Sequence, residues 1–215
     1  MSDEGSIPRP GRGTTVFLVR HGHVHNPERI LYGRLPRFPL SARGRDEALR
    51  AARLLAAFPL HAAYASPRLR ARQTARAIAA LHPGLAVRVS RLIDEVYTRF
   101  EGEPLEIVAA RREDFYTGEN PPYEQPQDIV RRMVRFLELV RRRHAGGAVA
   151  AVTHGDVIAF TLLWAMGEEL RPQSKARLRL PGSSGYPATG SVVRLVLPAA
   201  GCARPSEIDF LGGRP

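Results

Sequence analysis

The stretch AVAAVTHGDVI, at residues 148–158, carries the clearest signal of fold class. The run from Ala148 to Thr153 is apolar at five of its six positions, which is typical of strands that are buried on both faces of a parallel sheet. The segment from Asp156 to Met166 is long enough for a helix and ends at Gly167, a usual residue after a helix C-terminus. A buried strand followed directly by a helix predicts an α/β protein.

The same alternation continues outward from this stretch. The other predicted strands are Thr15 to Val19, Ala62 to Ala65, Leu85 to Val89 and Ser191 to Leu197. Three more helices are predicted. One is capped by Ser41 and has an apolar stripe that ends at Phe58, and a second is capped by Ser66, has Pro67 at its first position and runs to about Leu81. The third has the apolar face Ile129 to Val140. These elements predict a three-layer α/β sandwich: a mainly parallel open sheet with helices on both faces.

Length and composition favour one domain. The 215 residues, 44% of them apolar, are enough for one continuous core, so we expect residues 14–215 to form a single domain. Residues 1–13, rich in Pro, Gly and charge, predict a flexible tail. The segments 94–127 and 171–190 are irregular, and either could form a lid over a site.

The cellular context follows from what the sequence lacks. A single cysteine, Cys202, cannot form an internal disulfide, and the N-terminal residues carry no apolar signal-peptide core. No window approaches the roughly 20 apolar residues of a membrane span. We therefore expect a cytoplasmic protein with no membrane partner.

The chain is strongly basic. Thirty-two basic against 21 acidic residues give a net charge of +11, and all the basic residues but Lys175 are arginine. Nucleic-acid surfaces mix Lys and Arg in clusters with aromatic residues between them, whereas here arginine is spread through nearly every segment. We expect no nucleic-acid partner, although a basic nucleic-acid-binding protein stays an alternative because +11 attracts anions over long range.

Chemically distinctive residues follow three of the predicted strands. Arg20-His21-Gly22 follows the first, SPRLRARQTA at residues 66–75 follows the second, and Thr153-His154-Gly155-Asp156 includes the end of the fourth. Because ligands bind beyond the carboxyl ends of parallel strands, two histidines and at least two arginines are expected to meet at one edge.

Two imidazoles among guanidinium groups suit a phosphate dianion. Arginine matches phosphate oxygens with a planar fork of donors, and a neutral imidazole can attack phosphorus to give a phosphohistidine. Arg20, Arg70 and His154 would supply positioning and charge stabilisation. A carboxyl group must also protonate the leaving alkoxide, and Asp94 and Glu95, which follow the third strand, are both candidates.

A metal-dependent hydrolase is the main competing hypothesis. The spacing His21-x-His23-x-His25 resembles that of metal ligands on an extended strand, with His154 and Asp156 as further ligands. The arginines at 20 and 70 would repel a divalent cation. We therefore expect no metal ion and no other cofactor.

Four motifs together resemble the histidine phosphatase superfamily, in its phosphoglycerate-mutase-like branch. They are RHG at 20–22, SPRLRARQTA at 66–75, LIDEVYTRFEG at 92–102 and THGDVI at 153–158, and the resemblance covers about Thr15 to Leu197. It implies that His21 is the phosphorylated nucleophile, that Arg20 and Arg70 bind the phosphoryl group and that His154 is the second histidine of the pocket.

The resemblance also assigns the remaining site residues. It implies Glu95 as the proton donor, with Asp94 the alternative, and a phosphate contact for Asn26. Gly155 would let a backbone amide approach the phosphate, and Arg68 is assigned to the surface.

The expected activity is the hydrolysis of a small phosphomonoester through a phosphohistidine. The partner is then a small-molecule substrate, with a homo-oligomer possible. A phosphoglycerate mutase is the nearest alternative; the compact chain of 215 residues favours hydrolysis. The segments 94–127 and 171–190 would recognise the substrate.

Overall fold

The computed structural model describes residues 13–111, 114–178, 185–201 and 204–212. Nearly all of the predicted flexible tail, residues 1–12, lies outside the described residues, and so do residues 179–184 of the predicted lid segment 171–190. Among the described helices, none combines the length and the apolar character needed to cross a bilayer.

Six strands and five α-helices make up the described chain. In chain order they are β1 (Thr14–Arg20), α1 (Ala42–Leu55), β2 (Leu60–Ala65), α2 (Leu69–Ala79), β3 (Val87–Val89), α3 (Leu105–Ala110), α4 (Pro126–Arg143), β4 (Ala148–Thr153), α5 (Gly155–Met166), β5 (Val192–Leu197) and β6 (Glu207–Gly212). Short 3-10 helices cover Arg91–Ile93 and Pro172–Arg177.

The strands form one mixed sheet in the order β3-β2-β4-β1-β5-β6. β1, β2, β3 and β4 are mutually parallel, whereas β5 and β6 pair antiparallel at one side. The predicted mainly parallel sheet is therefore confirmed. β6 was not predicted from the sequence. Ile208 and Phe210 alternate with Glu207 and Asp209 as in a strand, but the two acidic residues make the segment resemble a polar loop.

Alternate residues of β1 divide the core between the two faces of the sheet. Phe17 and Val19 pack with the apolar faces of α1 and α2. Val16 and Leu18 pack with α4 and α5 on the opposite side. The three layers predicted from the sequence are confirmed, and this arrangement leaves the carboxyl ends of the parallel strands free for a site.

The start of α2 differs from the prediction. Ser66 does not cap this helix: the helix begins at Leu69, with Arg68 in the N-cap position and no capping bond from its side chain. The Ser66 hydroxyl instead contacts Asp94 and His154. Ser41 does cap α1, where its hydroxyl accepts a hydrogen bond from the Gly44 amide at 3.0 Å.

The loop after β1 is held against α1 by a contact between two backbones. A Cβ added to Gly22 would overlap the carbonyl oxygen of Gly44, and one added to Gly44 would overlap the carbonyl oxygen of His23. The Gly22 amide also donates to the Thr74 hydroxyl of α2 at 3.1 Å. The segment that carries His21 is therefore fixed between two helices.

Gly44→Ala is expected to destabilise the fold, because the neighbouring atoms are backbone and cannot rotate away. We expect a loss of about 1–3 kcal/mol in the free energy of unfolding, measured by urea denaturation. Arg50→Ala, on the exposed face of the same helix, is the control and should change the free energy of unfolding by less than about 0.5 kcal/mol. Equal stability of the Gly44 variant and the control would contradict the close approach.

Candidate active site

The carboxyl ends of β1, β2 and β4 bring two buried histidines together. β4 lies between β1 and β2 in the sheet, so the residues that follow these strands share one edge. The rings of His21 and His154 have centroids 5.1 Å apart, and neither side chain is more than 1% exposed. The predicted convergence of these residues is therefore present in the structure.

His21 has its two ring nitrogens in different environments. Nδ1 lies 2.8 Å from the carbonyl oxygen of Gly22, an acceptor, so Nδ1 carries the proton. Nε2 accepts a hydrogen bond from Arg70 Nε at 3.1 Å. Burial, followed by the positive charge of Arg70, lowers the pKa of His21 well below its usual 6.5. The ring is thus neutral, with its lone pair on Nε2.

Arg70 is a fully buried cation at the centre of the site. Besides its bond to His21, its terminal nitrogen donates to the carbonyl oxygen of Gly33 at 2.8 Å and to the carboxylate of Glu95 at 3.1 Å. The central carbon of its guanidinium group lies over the ring of Tyr32, 4.6 Å from the ring centroid. Charge-assisted hydrogen bonds of this kind hold the guanidinium plane in one orientation.

The structure separates the two candidate carboxylates. Glu95 lies in the site, with one oxygen 2.9 Å from His154 Nδ1 and 3.1 Å from Arg70. Asp94 turns away and accepts two hydrogen bonds from Arg68, each 2.9 Å long. Of the pair, Glu95 therefore has the position for proton transfer.

Opposing effects act on the pKa of Glu95. Burial alone would raise it, but His154 and Arg70 outweigh burial and hold this pKa well below its ordinary value. The carboxyl group is thus ionised in the substrate-free site.

Arg68 differs from its assignment to the surface. Its side chain is 23% exposed and forms an ion pair with Asp94, whose carboxylate is almost fully buried. Asp94 Oδ1 also accepts a hydrogen bond from the Ser66 hydroxyl at 3.0 Å. Because Ser66 Oγ lies 2.7 Å from His154 Nε2, this group of three side chains supports the second histidine from behind.

His154 is neutral as well. Burial lowers its pKa to about 4, and the adjacent Glu95 offsets only part of that effect. The site therefore combines two neutral imidazoles with an ionised carboxylate and a buried guanidinium at neutral pH.

Arg20 approaches the histidines from the end of β1. Its terminal nitrogen donates to the carbonyl oxygen of Pro187 at 2.6 Å, and its guanidinium lies 5.2 Å from the ring centroid of Tyr186. Within the described residues, the buried Arg20 Nε has no acceptor. A buried donor that lacks an acceptor beside a cavity is suited to an anionic ligand.

A buried carboxylate next to the site was recognised only in part from the sequence. Asp156 accepts hydrogen bonds from the hydroxyls of Tyr116 and Tyr186, both at 2.6 Å, and from Lys175 at 2.8 Å. In the sequence analysis, Asp156 is only a candidate metal ligand. The two tyrosines lie about 40 and 30 residues away in irregular segments, where no periodicity indicates their position.

The last two predicted site residues have different positions. Gly155 lines the cavity beside His21, at the first residue of α5. Asn26 does not line this cavity; its side-chain amide donates to the carbonyl oxygen of Ile30 and accepts from the Ile30 amide, which closes a loop. The structure therefore gathers Arg20, His21, Arg70, Glu95, His154 and Gly155 but leaves Asn26 outside.

The histidine spacing that suggested a metal site does not correspond to a cluster. His23 and His25 are exposed, and His23 turns toward the Ser41 hydroxyl. The described group with suitable ligand atoms is His21, Glu95 and His154, whose atoms lie within 4.8 Å of one another. Arg70 donates to His21 and Glu95 in the same space, so a cation there would face a buried positive charge.

The fold and the site together define an α/β protein in which paired histidines and arginines meet at the carboxyl ends of parallel strands. The profile of the histidine phosphatase superfamily (branch 1) matches residues 16–184. The chain belongs to this superfamily, as the motifs predict.

Comparison with individual proteins gives relatives of similar size. The uncharacterized protein Rv0525 of Mycobacterium tuberculosis is 38% identical over an alignment of 167 residues, with 73% of this chain and 81% of that protein covered. Among solved structures, mycobacterial glucosyl-3-phosphoglycerate phosphatase Rv2419c has a TM-score of 0.73 and 22% identity, with 93% of this chain and 97% of that chain covered. YhfR of Bacillus stearothermophilus has a TM-score of 0.72 and 24% identity, with 92% and 94% covered.

The neutral histidines give the fold a defined pH dependence. The unfolded chain binds protons at His21 and His154 near pH 6.5, whereas the folded chain excludes them, down to about pH 4 for His154. The free energy of unfolding is therefore expected to fall as the pH drops from 6.5 to 4, by up to about 1.4 kcal/mol per pH unit for each histidine.

Urea denaturation at a series of pH values measures this slope. His154→Gln should make the slope shallower than in the parent chain, and His25→Gln, at an exposed position, should leave it unchanged. A parent slope equal to that of His154→Gln would mean that the imidazole at 154 is protonated in the folded protein.

Proposed function

We propose that this chain is a phosphatase that hydrolyses a small phosphomonoester through a phosphohistidine intermediate and requires no metal ion. The observation that carries the proposal is the state of His21, whose Nδ1 proton is held by Gly22 while Nε2 keeps its lone pair beside Arg70. A neutral, oriented imidazole next to a guanidinium suits nucleophilic attack on phosphorus. Membership of the histidine phosphatase superfamily supports the same reaction.

When the substrate binds, it replaces hydrogen bonds that join side chains of the substrate-free site to one another. A phosphoryl group next to His21 Nε2 can accept hydrogen bonds from Arg70 and from the Nε of Arg20. Arg70 then no longer donates to Glu95. His154 lies on the other side of the same space and can contact the remaining oxygens. These fixed donors stabilise the charge on the phosphoryl oxygens during transfer.

Glu95 receives its proton when the substrate binds. The phosphoryl group brings negative charge next to the carboxylate, and a like charge favours the protonated form. A phosphomonoester monoanion carries one proton, and Glu95 takes it as the dianion settles between the arginines. Glu95 is then the acid that the departing alcohol requires.

The reaction follows in two displacements. In the first, His21 Nε2 forms a bond to phosphorus while the bond from phosphorus to the ester oxygen breaks, and the Glu95 proton moves to that oxygen to give a neutral alcohol. In the second, water attacks phosphorus, Glu95 takes a proton from the water, and the bond between phosphorus and Nε2 breaks. Inorganic phosphate leaves as the monoanion with the proton that Glu95 took from water, so Glu95 is ionised and His21 is neutral again.

His21→Ala should abolish turnover, because the other imidazole of the site, His154, has its two ring nitrogens within hydrogen-bond distance of Glu95 and Ser66. We expect less than about 1% of the parent activity on p-nitrophenyl phosphate, assayed with EDTA present. Denatured parent enzyme, quenched during turnover of a 32P-labelled ester, should carry an acid-labile, alkali-stable phosphate. His25→Ala is the matched control, and phosphoenzyme in the His21 variant would refute the assignment.

Glu95→Gln should slow esters with poor leaving groups far more than p-nitrophenyl phosphate, which needs little protonation. We expect kcat/KM to fall about 10²- to 10⁴-fold for an alkyl phosphate and much less for the nitrophenyl ester. Glu106→Gln, at an exposed position on α3, should alter neither value. Equal losses on both esters would assign Glu95 a binding role instead.

A further inference from the structure

A cavity extends from the phosphoryl site toward solvent. Its volume is about 360 Å³, and its lining includes Arg20, His21 and Glu95 of the phosphoryl site. Small-molecule sites usually fall between about 300 and 1,000 Å³. A cavity at the lower end of this range has room for a phosphoryl group and a small alcohol, so its outer part must contact the leaving group of any ester that reaches His21.

The outer part of the cavity has an apolar wall. Six apolar side chains from the connections around the sheet line it, namely Ile30, Leu31, Val96, Leu105, Val108 and Phe115. Val96 and Val108 are each only 4% exposed. We name these six residues the leaving-group wall.

Charged groups at the cavity are already paired or belong to the phosphoryl site. Among the described residues that line it, the side chains charged at neutral pH are Arg20, Glu95 and Asp156. Arg20 and Glu95 act on the phosphoryl group, and both oxygens of Asp156 accept hydrogen bonds from Tyr116, Tyr186 and Lys175. The described lining thus holds no second cation for a carboxylate or a second phosphate, and it holds no free anion for an ammonium group.

We infer that the natural substrate is the phosphate ester of an uncharged, largely apolar alcohol, which this leaving-group wall recognises. The inference rests on the proposed function and adds the substrate class. A charged group at the far end of the alcohol would lose its hydration without gaining a partner, which is costly in an apolar site. Apolar atoms there gain affinity from burial against the wall.

A matched series of primary alkyl esters tests this inference. Butyl phosphate, 4-(phosphonooxy)butanoate and 4-aminobutyl phosphate have similar leaving groups and differ in charge at the far end. We expect kcat/KM for butyl phosphate to exceed that for each charged ester by about tenfold or more. From ethyl to hexyl phosphate, kcat/KM should rise by up to about fourfold per methylene.

A charge introduced into the wall should redirect this preference. In Leu105→Arg, kcat/KM for the carboxylate ester relative to butyl phosphate should rise about tenfold, since the guanidinium supplies the missing partner. Ile107→Arg is the matched control, because Ile107 is 50% exposed on the same helix and does not line the cavity. Its ratio should equal that of the parent chain.

The outcomes separate this inference from the proposed function. Equal kcat/KM for the three esters, or a preference for the carboxylate, would overturn the substrate class while the phosphatase activity stands. Absence of hydrolysis for every ester, nitrophenyl phosphate included, would overturn both. The parent chain alone decides the matter, so the result does not depend on whether Leu105→Arg folds.

Discussion

The site depends on one buried positive charge. A guanidinium as fully enclosed as that of Arg70 is costly unless each donor finds an acceptor. Its acceptors among the described residues include the Nε2 of His21, the carbonyl oxygen of Gly33 and the carboxylate of Glu95. These belong to the proposed nucleophile, the adjacent loop and the proposed proton donor, so the same bonds that stabilise the cation also set the relative positions of these groups.

Much of this arrangement could be predicted from the sequence because strands and helices have their own periodicities. The apolar run of β4 and the stripe of α1 indicated a layered sheet, and the rule that ligands bind at the carboxyl ends of strands then brought His21 near His154. Contacts from irregular segments could not be found in this way. Tyr116 and Tyr186 reach Asp156 from chain without periodicity, and Ser66 gave a capping signal although its hydroxyl has another partner.

The choice between Asp94 and Glu95 shows where spacing stops being informative. Adjacent residues on extended backbone point to opposite sides, and Asp94 is extended, with φ at −70° and ψ at 167°. One carboxylate therefore faces Arg68 and the other faces Arg70 and His154. The sequence shows two acids after the third strand, but only the backbone direction decides which one reaches the site.

The leaving-group wall comes from the chain between β1 and α1 and between β3 and α4. The residues of the proposed phosphoryl site instead lie at the ends of β1 and β4 and the start of α2, with Glu95 just after the 3-10 helix Arg91–Ile93. Substitutions in the wall leave the reacting groups and their buried hydrogen bonds in place. Homologous chains can therefore diverge in substrate specificity through the wall while the residues of the proposed phosphoryl site stay unchanged. The wall is also the place where a laboratory evolution experiment should concentrate its randomised codons.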